Sequence, residues 1–400
     1  MNVCLLSLEW PPYGGGIGTY MFNLAHGLSA LGHNVTVITH DKAPEQMNGV
    51  KIAEVSLPRE PGMVQKMQRW IWEPHHTWSV RAWRYFKGIE KQNSFDIIET
   101  AEYGSWARHF IGHVNTPMVV RCHTPAHGVQ EISSNGDGKC KMPLWLTLEN
   151  KRERQQTRQA DAISTPSYVL SNHISLSWSI PRSRITVLPN PVDTKLFIAN
   201  NGEQRRKKEI LYVGRLQYNK GVFDLIDAVK PLLKEHSDLT VRIIGKDIKT
   251  PKCINSKHRM ASEEILSRIP AENRRQVIIT GWVPVNELIS YQQKAMCAVV
   301  PSRGFESFSY TLTQHMACGT AVVASHCGGP TEIISDGVDG LLVPAGDKEA
   351  LSNAMKRLIE NPRLSELLGR QARKKVEENY SISAVVPQIT KWYEQIIEKY

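Results

Sequence analysis

Short, β-branched, unbroken apolar runs alternate with amphipathic stretches along nearly the whole chain, and this alternation constrains the fold more than any other feature. The runs fall at Val3–Leu8, Asn34–Thr39, Ile52–Val55, Asp96–Glu99, Met118–Cys122, Ala162–Thr165 and Ile185–Leu188. They resume at Glu209–Val213, Thr240–Gly245, Val277–Gly281, Cys297–Pro301 and Ala321–Ser325. Continuous apolar runs of this length read as strands covered on both faces, as in parallel sheets. Between the first two, Met21, Leu24, Leu28 and Leu31 recur at helical spacing and Gly32 supplies a stop. Val222, Leu225, Ile226, Val229 and Leu232 repeat the device in the second half. Two series of strand–helix–strand units predict two parallel α/β domains. The polar, basic stretch Thr194–Lys208 suits an exposed linker between them. Val385, Ile389, Trp392, Tyr393 and Ile396 predict a final amphipathic helix.

Composition narrows the field further. A chain of 400 residues has room for two or three domains of roughly 150 residues each. With 41% hydrophobic and 22% charged residues, disorder and fibrous architectures are excluded. Lys and Arg number 49 against 39 Asp and Glu, and the resulting charge of +10 favours an anionic partner. The seven cysteines are scattered without metal-ligand spacing, which predicts reduced, buried thiols. The opening MNVCLLSLEWPPYGGG lacks a basic leader and breaks at Pro11–Pro12, so it reads as a strand and not a signal peptide. No window approaches the ~18 apolar residues of a membrane span. The expectation is a cytoplasmic protein whose membrane contact, where it occurs, is peripheral on the inner face.

Four segments carry chemistry. In VGRLQYNKG (Val213–Gly221), Arg215 and Lys220 stand in a loop at a strand's C-terminal end, where open α/β sheets bind ligands. Two cations there suit a diphosphate, although a solvated basic loop accounts for them equally well. In Pro301–Ser325 a strand, a loop carrying Glu306 and a helix from about Phe308 to Cys318 follow one another. The amides of Ser309 and Tyr310 would open that helix and offer a phosphate site, with Gln314 roughly 7–8 Å further along its axis. The glycine loop Pro11–Tyr20 lets backbone approach a ligand through Gly14, Gly15 and Gly16, but the dinucleotide pattern G-x-G-x-x-G fails at Thr19 and Met21. In Val119–His127 a strand ends close to His123. A histidine placed there is more often structural than catalytic. No Asp-x-Asp pair and no P-loop pattern occurs.

Taken together these segments resemble the family-4 (GT4) retaining glycosyltransferases, over nearly the whole chain. GGGIGTY with NLAHGLSALGHNVTVIT resembles the family's glycine loop, first helix and second strand. VLPNPVDTKLF resembles its interdomain signature, VGRLQYNKG its phosphate-binding loop, and RGFESFSYTLTQHMACGTAVVAS its Glu-x7-Glu segment. The resemblance implies the GT-B fold, an α/β architecture of two Rossmann-like domains facing each other across a cleft. Its boundaries would be 1–195 for the N-terminal, acceptor-side domain, with helix 383–400 packed back on it, and 196–382 for the donor-binding domain. The implied donor is a UDP- or GDP-linked sugar, and the acceptor is a sugar or a lipid-linked hydroxyl. Synthesis of cell-surface polysaccharide or glycolipid is the setting it suggests.

Roles follow position by position from the same resemblance. Arg215 and Lys220 would hold the donor diphosphate, and Glu306 would contact the transferred sugar's hydroxyls. Backbone at Ser309 and Tyr310 would cover the phosphates, Gly16 would bring the N-terminal loop near them, and Val283 would meet the base. His123 matches a histidine at the reaction centre. The sequence departs from the family where its second Glu, which grips the ribose, is Gln314, which gives an uncharged and weaker contact. Ser309 stands where the family often has Gly. No metal is expected, because cations and a helix start would stabilise the leaving diphosphate. Nucleic acid is not an expected partner. Sugar-nucleotide epimerisation on the same fold and a non-catalytic nucleotide-sugar-binding subunit are the rival readings.

Two features point towards an acceptor. Lys66 to Lys91 holds Trp70, Trp72, Trp78 and Trp83 with six Lys or Arg and two Glu. It suits an anionic membrane or a lipid-linked acceptor. Trp78, Ala82, Tyr85, Phe86 and Ile89 share one helical stripe, however, which more simply predicts core packing. The segment Ser133–Pro143 reads as a mobile loop on the acceptor side.

Overall fold

In the computed structural model, residues 1–11, 14–40, 45–56, 74–91, 93–126, 144–199, 208–249 and 259–400 are described. The chain divides into two compact units, one of Met1–Val129, Met142–Pro191 and Ile382–Tyr400, the other of Val192–Ser381. The chain leaves the first unit at Pro191 and re-enters it at Ile382. Val192 and Ser381 form a parallel bridge, and the Val192 amide donates to the Tyr380 carbonyl at 2.8 Å.

The first unit is built on β1 (Asn2–Leu6), β2 (Asn34–His40), β3 (Val50–Val55), β4 (Ile97–Ala101), β5 (Met118–Arg121), β6 (Ala162–Thr165) and β7 (Ile185–Val187), in the order β3-β2-β1-β4-β5-β6-β7. The second is built on β8 (Glu209–Val213), β9 (Thr240–Ile244), β10 (Val277–Gly281), β11 (Cys297–Val300), β12 (Ala321–Ser325) and β13 (Leu341–Val343), in the order β10-β9-β8-β11-β12-β13. All pairings are parallel. Every apolar run read as a strand is one, with ends moved by two residues at most. β13 was not foreseen: three residues on a sheet edge are too few to show a period.

Helices α1 (Gly16–Ala30), α2 (Pro74–Glu90), α3 (Leu144–Gln159) and, at the chain's end, α6 (Ile382–Ile397) belong to the first unit; α4 (Val222–Glu235) and α5 (Tyr310–Ala317) belong to the second. On α1, Met21, Leu24 and Leu28 are fully buried. Leu31 departs from the expected apolar face because it is the C-cap and is 48% exposed. Gly32 follows at φ +81°, its amide bonded to Ser29 O and that of His33 to Leu28 O. This reciprocal pair closes the last turn. On α4 all five predicted positions, from Val222 to Leu232, lie in the core.

Core packing accounts for the described part of the tryptophan-rich stretch. Trp78, Ala82 and Phe86 on α2 are fully buried, with Phe86 between Phe95 and Phe110 at ring distances of 5.4 and 5.2 Å. Tyr85 leaves the stripe and is 37% exposed. Trp70, Trp72, the loop at 133–143, Cys140, Cys253 and residues 200–207 lie outside the described residues. The described cysteines are all free thiols, four buried and Cys327 partly so. No described helix is long and apolar enough to cross a membrane.

α6 buries Val385, Ile389 and Tyr393, while Trp392 and Ile396 are half-buried. Its contact with α1 is close at Gly27, where an added Cβ would sit 2.5 Å from Val386 Cγ2 and 2.8 Å from Ile382 Cγ2. Overpacking of this kind costs about 1–3 kcal/mol. Gly27→Ala should therefore lower stability in urea despite alanine's better helix propensity, and Val386→Ala in the same chain should restore part of the loss. An unchanged midpoint in Gly27→Ala would show that α6 is not seated there.

Candidate functional site

In an open parallel sheet the ligand crevice lies at the carboxyl ends of the strands, where the strand order reverses. In the second unit that point falls between the neighbours β8 and β11, and the loops leaving both strands carry the predicted donor residues. After β8 come Gly214 and the exposed Arg215, then a 3-10 turn at Tyr218–Lys220. After β11 comes the loop with Glu306. Lys220 Nζ lies 2.9 Å from each carboxylate oxygen of Glu306, and Ser302 Oγ donates to Oε2 at 2.8 Å. Burial alone would raise the Glu306 carboxyl, but the Lys220 charge and hydrogen bonds, Ser302 and Arg215 together hold it below its ordinary value. Glu306 is thus an anion paired with a cation in one partly open corner.

Backbone contacts fix this corner. Gly221 has φ +70°, and a Cβ there would come within 1.7 Å of the Pro301 carbonyl oxygen. On the other side Gly328, at φ +60°, abuts the backbone of Glu306, where a Cβ would lie 2.1 Å from its carbonyl oxygen. The Glu306 loop is therefore clamped between two glycine turns that no larger residue can supply. Arg303 adds a side-chain clamp that sequence reasoning missed. Its guanidinium forks onto Asp224 of α4 with Nη2–Oδ1 at 3.0 Å, stacks 4.4 Å above the Tyr218 ring and donates to the Tyr218 hydroxyl. Its amide donates to Asn219 O at 2.9 Å. The fork spans 79 residues of sequence, and its only local signal was an arginine three positions before Glu306.

α5 starts at Tyr310, two residues later than the sequence suggested. Phe308 is drawn into the core against Tyr310 and Tyr380. Ser309 takes the left-handed conformation, φ +79°, and caps the helix by accepting from Leu312 N at 3.4 Å. That conformation favours glycine, the residue the family often has at this position. Gln314 lies one turn into α5 and is half-buried, as is Val283 beyond β10, which packs against the core beside α5.

In the first unit the order reverses between β1 and β4. Gly16 is exposed at the first position of α1. The neighbouring amides of Gly15 and Gly18 donate to the carboxylate of Glu9 at 2.8 and 3.3 Å, an internal anion that the sequence reading did not foresee. Tyr20, one turn on, meets the His123 ring edge-on at 5.1 Å. His123 follows β5, is 7% exposed, and its amide donates to Glu102 Oε1 at 2.8 Å. Its Nε2 is buried without a hydrogen-bond partner among the described residues. Burial and the nearby Arg121 push the imidazole well below its ordinary pKa. It is therefore neutral at working pH and a weak base, suited to exchanging hydrogen bonds with a neutral ligand group.

α3 builds the rest of this centre. Glu153 accepts from Gly104 N at 3.1 Å and Ala126 N at 2.9 Å, and Gln156 accepts from Ala107 N at 2.8 Å while donating to Ala101 O at 3.0 Å. The loops after β4 and β5 are thereby tied to one helix. Burial raises Glu102 to about 7, against the pull of its backbone hydrogen bonds, and raises Glu153 well above its ordinary value, with Glu102 adding to the rise. A carboxyl raised in the folded state contributes stability that is full below its unfolded value of about 4.5 and lost as pH climbs through about 7. The urea midpoint should therefore fall between about pH 5 and pH 8, and Glu102→Gln should flatten that fall; an unchanged slope in the variant would place its source elsewhere.

Comparison with known proteins identifies the fold and the family. The model for "Glycosyltransferase Family 4" matches residues 14–196 and that for "Glycosyl transferases group 1" matches residues 193–375. Glycogen synthase of Mycobacterium tuberculosis is 25% identical, covering 96% of this chain and 92% of its own. Sucrose-phosphate synthase from Thermosynechococcus elongatus superposes with a TM-score of 0.81 at 21% identity, with full coverage of both chains. The Anabaena protein HepE in complex with UDP gives 0.72 at 14% identity, over 99% of this chain and 100% of its own. With two parallel α/β units of GT-B type and family matches spanning residues 14–375, the chain belongs to the family-4 glycosyltransferases.

Proposed function

We propose that this glycosyltransferase moves a sugar, with retention at the anomeric carbon, from a UDP- or GDP-linked donor to an acceptor hydroxyl in the synthesis of cell-surface polysaccharide, glycolipid or a related glycoconjugate. The observation that carries the reading is the Lys220–Glu306 pair, set beside Arg215 and just ahead of the start of α5. Cleaving the anomeric bond leaves negative charge on a nucleotide diphosphate. Arg215, Lys220 and the first amides of α5 at Ser309 and Tyr310 stabilise that charge as it grows, so no metal ion is required by the charge balance. Glu306, kept ionised by Lys220, accepts hydrogen bonds from the sugar's hydroxyls and orients it. His123, being neutral, hydrogen-bonds the transferred sugar and is not the proton carrier. The acceptor's proton passes to the departing phosphate oxygen on the same face, and the new bond forms where the old one breaks. Gly16, Val283 and Gln314 take the loop, base and ribose contacts.

Relatives support this reading: the Anabaena protein HepE forms a complex with UDP, and glycogen synthase by its name builds a polysaccharide. A thermal-shift panel of UDP-glucose, UDP-N-acetylglucosamine and GDP-mannose tests the donor, since a ligand at 100 times its Kd adds about 2.7 kcal/mol. With the donor that shifts most, Lys220→Ala should lose at least 100-fold in kcat/KM with the fold intact by circular dichroism, a cost of about 2.7 kcal/mol. Wild-type turnover in that variant would end the assignment. The product's anomeric configuration, read by proton NMR, should match the donor's. Inversion would refute the mechanism, and a rearranged nucleotide-sugar without transfer would favour epimerisation.

A further inference from the structure

We propose that Tyr20, Glu99 and Tyr393 form a positioning relay for His123, which makes the C-terminal helix α6 a working part of the reaction centre. The inference rests on the reading of His123 given above. Glu99 lies on β4, among apolar neighbours, and is fully buried. Both its oxygens are taken by tyrosines: Tyr20 of α1 donates to Oε1 at 2.7 Å, and Tyr393 of α6 donates to Oε2 at 2.5 Å. Tyr393 is 294 positions away in sequence. A carboxyl in such a place is costly, and an apolar residue would pack there at lower cost. What the pair of hydroxyls achieves is to fix the Tyr20 ring.

That ring touches the site on two sides. The Arg121 guanidinium lies 4.7 Å from its centroid, and the His123 ring meets it edge-on at 5.1 Å. Arg121 is itself held by Leu188 O at 2.6 Å, Asn190 Oδ1 at 2.7 Å and Ser164 Oγ at 3.3 Å. The His123 amide is fixed by Glu102, its ring packs against Tyr20, and Tyr20 is held by Glu99. Glu99 in turn is held on its other oxygen by Tyr393, with the Arg121 charge nearby. A misplacement of about 1 Å at a reacting group can cost about 100-fold in rate.

Tyr393→Phe and Tyr20→Phe remove one hydroxyl each and leave the rings. In each variant the His123 imidazole nitrogen shifts, assigned in the ligand-free protein by comparison with His123→Gln, should move. With the nucleotide sugar selected by the thermal-shift panel, kcat should fall about 5- to 50-fold while donor KM stays within about twofold. Because both hydroxyls act through one carboxylate, the double variant should be no more than about twofold slower than the worse single one. Unmoved His123 shifts in both single variants would overturn the relay, as would rate losses that simply multiply in the double. Moved shifts with unchanged kcat would overturn it too. His123→Gln separates that result from failure of the underlying reading: if it also keeps full turnover, His123 has no part in the reaction. Should either tyrosine variant fold poorly, Glu99→Gln, which retains the size and accepting oxygen, must give the same pattern of shift and rate.

Discussion

Parallel pairing of every strand is the constraint from which the site follows. Each strand needs a crossover before its neighbour, so both faces of each sheet are covered by helices and every carboxyl end emerges on one edge. Within each unit two neighbouring strands send their loops in opposite directions at that edge. In the first unit these are β1 and β4, in the second β8 and β11. The glycine loop and Glu102 leave the first pair; Arg215, Lys220 and Glu306 leave the second. The chemistry is thus placed by topology before any side chain is chosen. What the side chains decide is how rigidly those loops are held, and here glycine turns, the Arg303 fork and two polar residues of α3 take over from the sheet.

The buried carboxylates fall into two electrostatic classes, and the difference shows what each does. Glu306 shares its corner with Lys220, Ser302 and Arg215 and is held as an anion. Glu102, Glu153 and Glu99 lie deeper in the first unit, where burial raises all three. Glu153 and Glu99 spend both oxygens on backbone amides or tyrosine hydroxyls, and Glu102 spends one on the His123 amide. Glu306 is paired with a cation at the carboxyl edge of its sheet; the other three brace loops and a tyrosine ring. Burial and Arg121 likewise act on His123, holding its imidazole well below the ordinary histidine value.

The sheets were legible because their signal is local: a β-branched run such as Cys297–Val300 identifies itself without help from the rest of the chain. The same holds for α1 and α4, whose apolar faces repeat within a few turns. Boundaries were read less well where a single residue overrides the pattern, as when Ser309 turns left-handed and delays α5, or when Leu31 becomes a cap. Arg215, Lys220 and Glu306 were singled out by motif placement and His123 by the family resemblance, but their partners were not. Lys220 meets Glu306 across 86 residues, Arg303 meets Asp224 across 79, and Tyr393 meets Glu99 across 294. Glu99, Glu102 and Glu153 look in the sequence like any solvated charge, and only the fold reveals them as buried.

The C-terminal helix gains a meaning from this that its amphipathic pattern does not disclose. A helix returning to the first unit after all of the second has been made could be a mere cover for α1, and Val385, Val386 and Ile389 would suffice for that. Tyr393 is different in kind. Its hydroxyl is fully buried and its partner is a carboxylate, a combination that adds cost without adding apolar area. Two residues of α1 also connect to the chain crossings: Asn23 donates to Pro191 O at 2.8 Å, and Gly27 seats Ile382 and Val386. The same helix carries Tyr20 against His123. Segments at both crossings and His123 are therefore in contact with one helix, so a displacement of either crossing cannot leave α1, and with it Tyr20, unaffected.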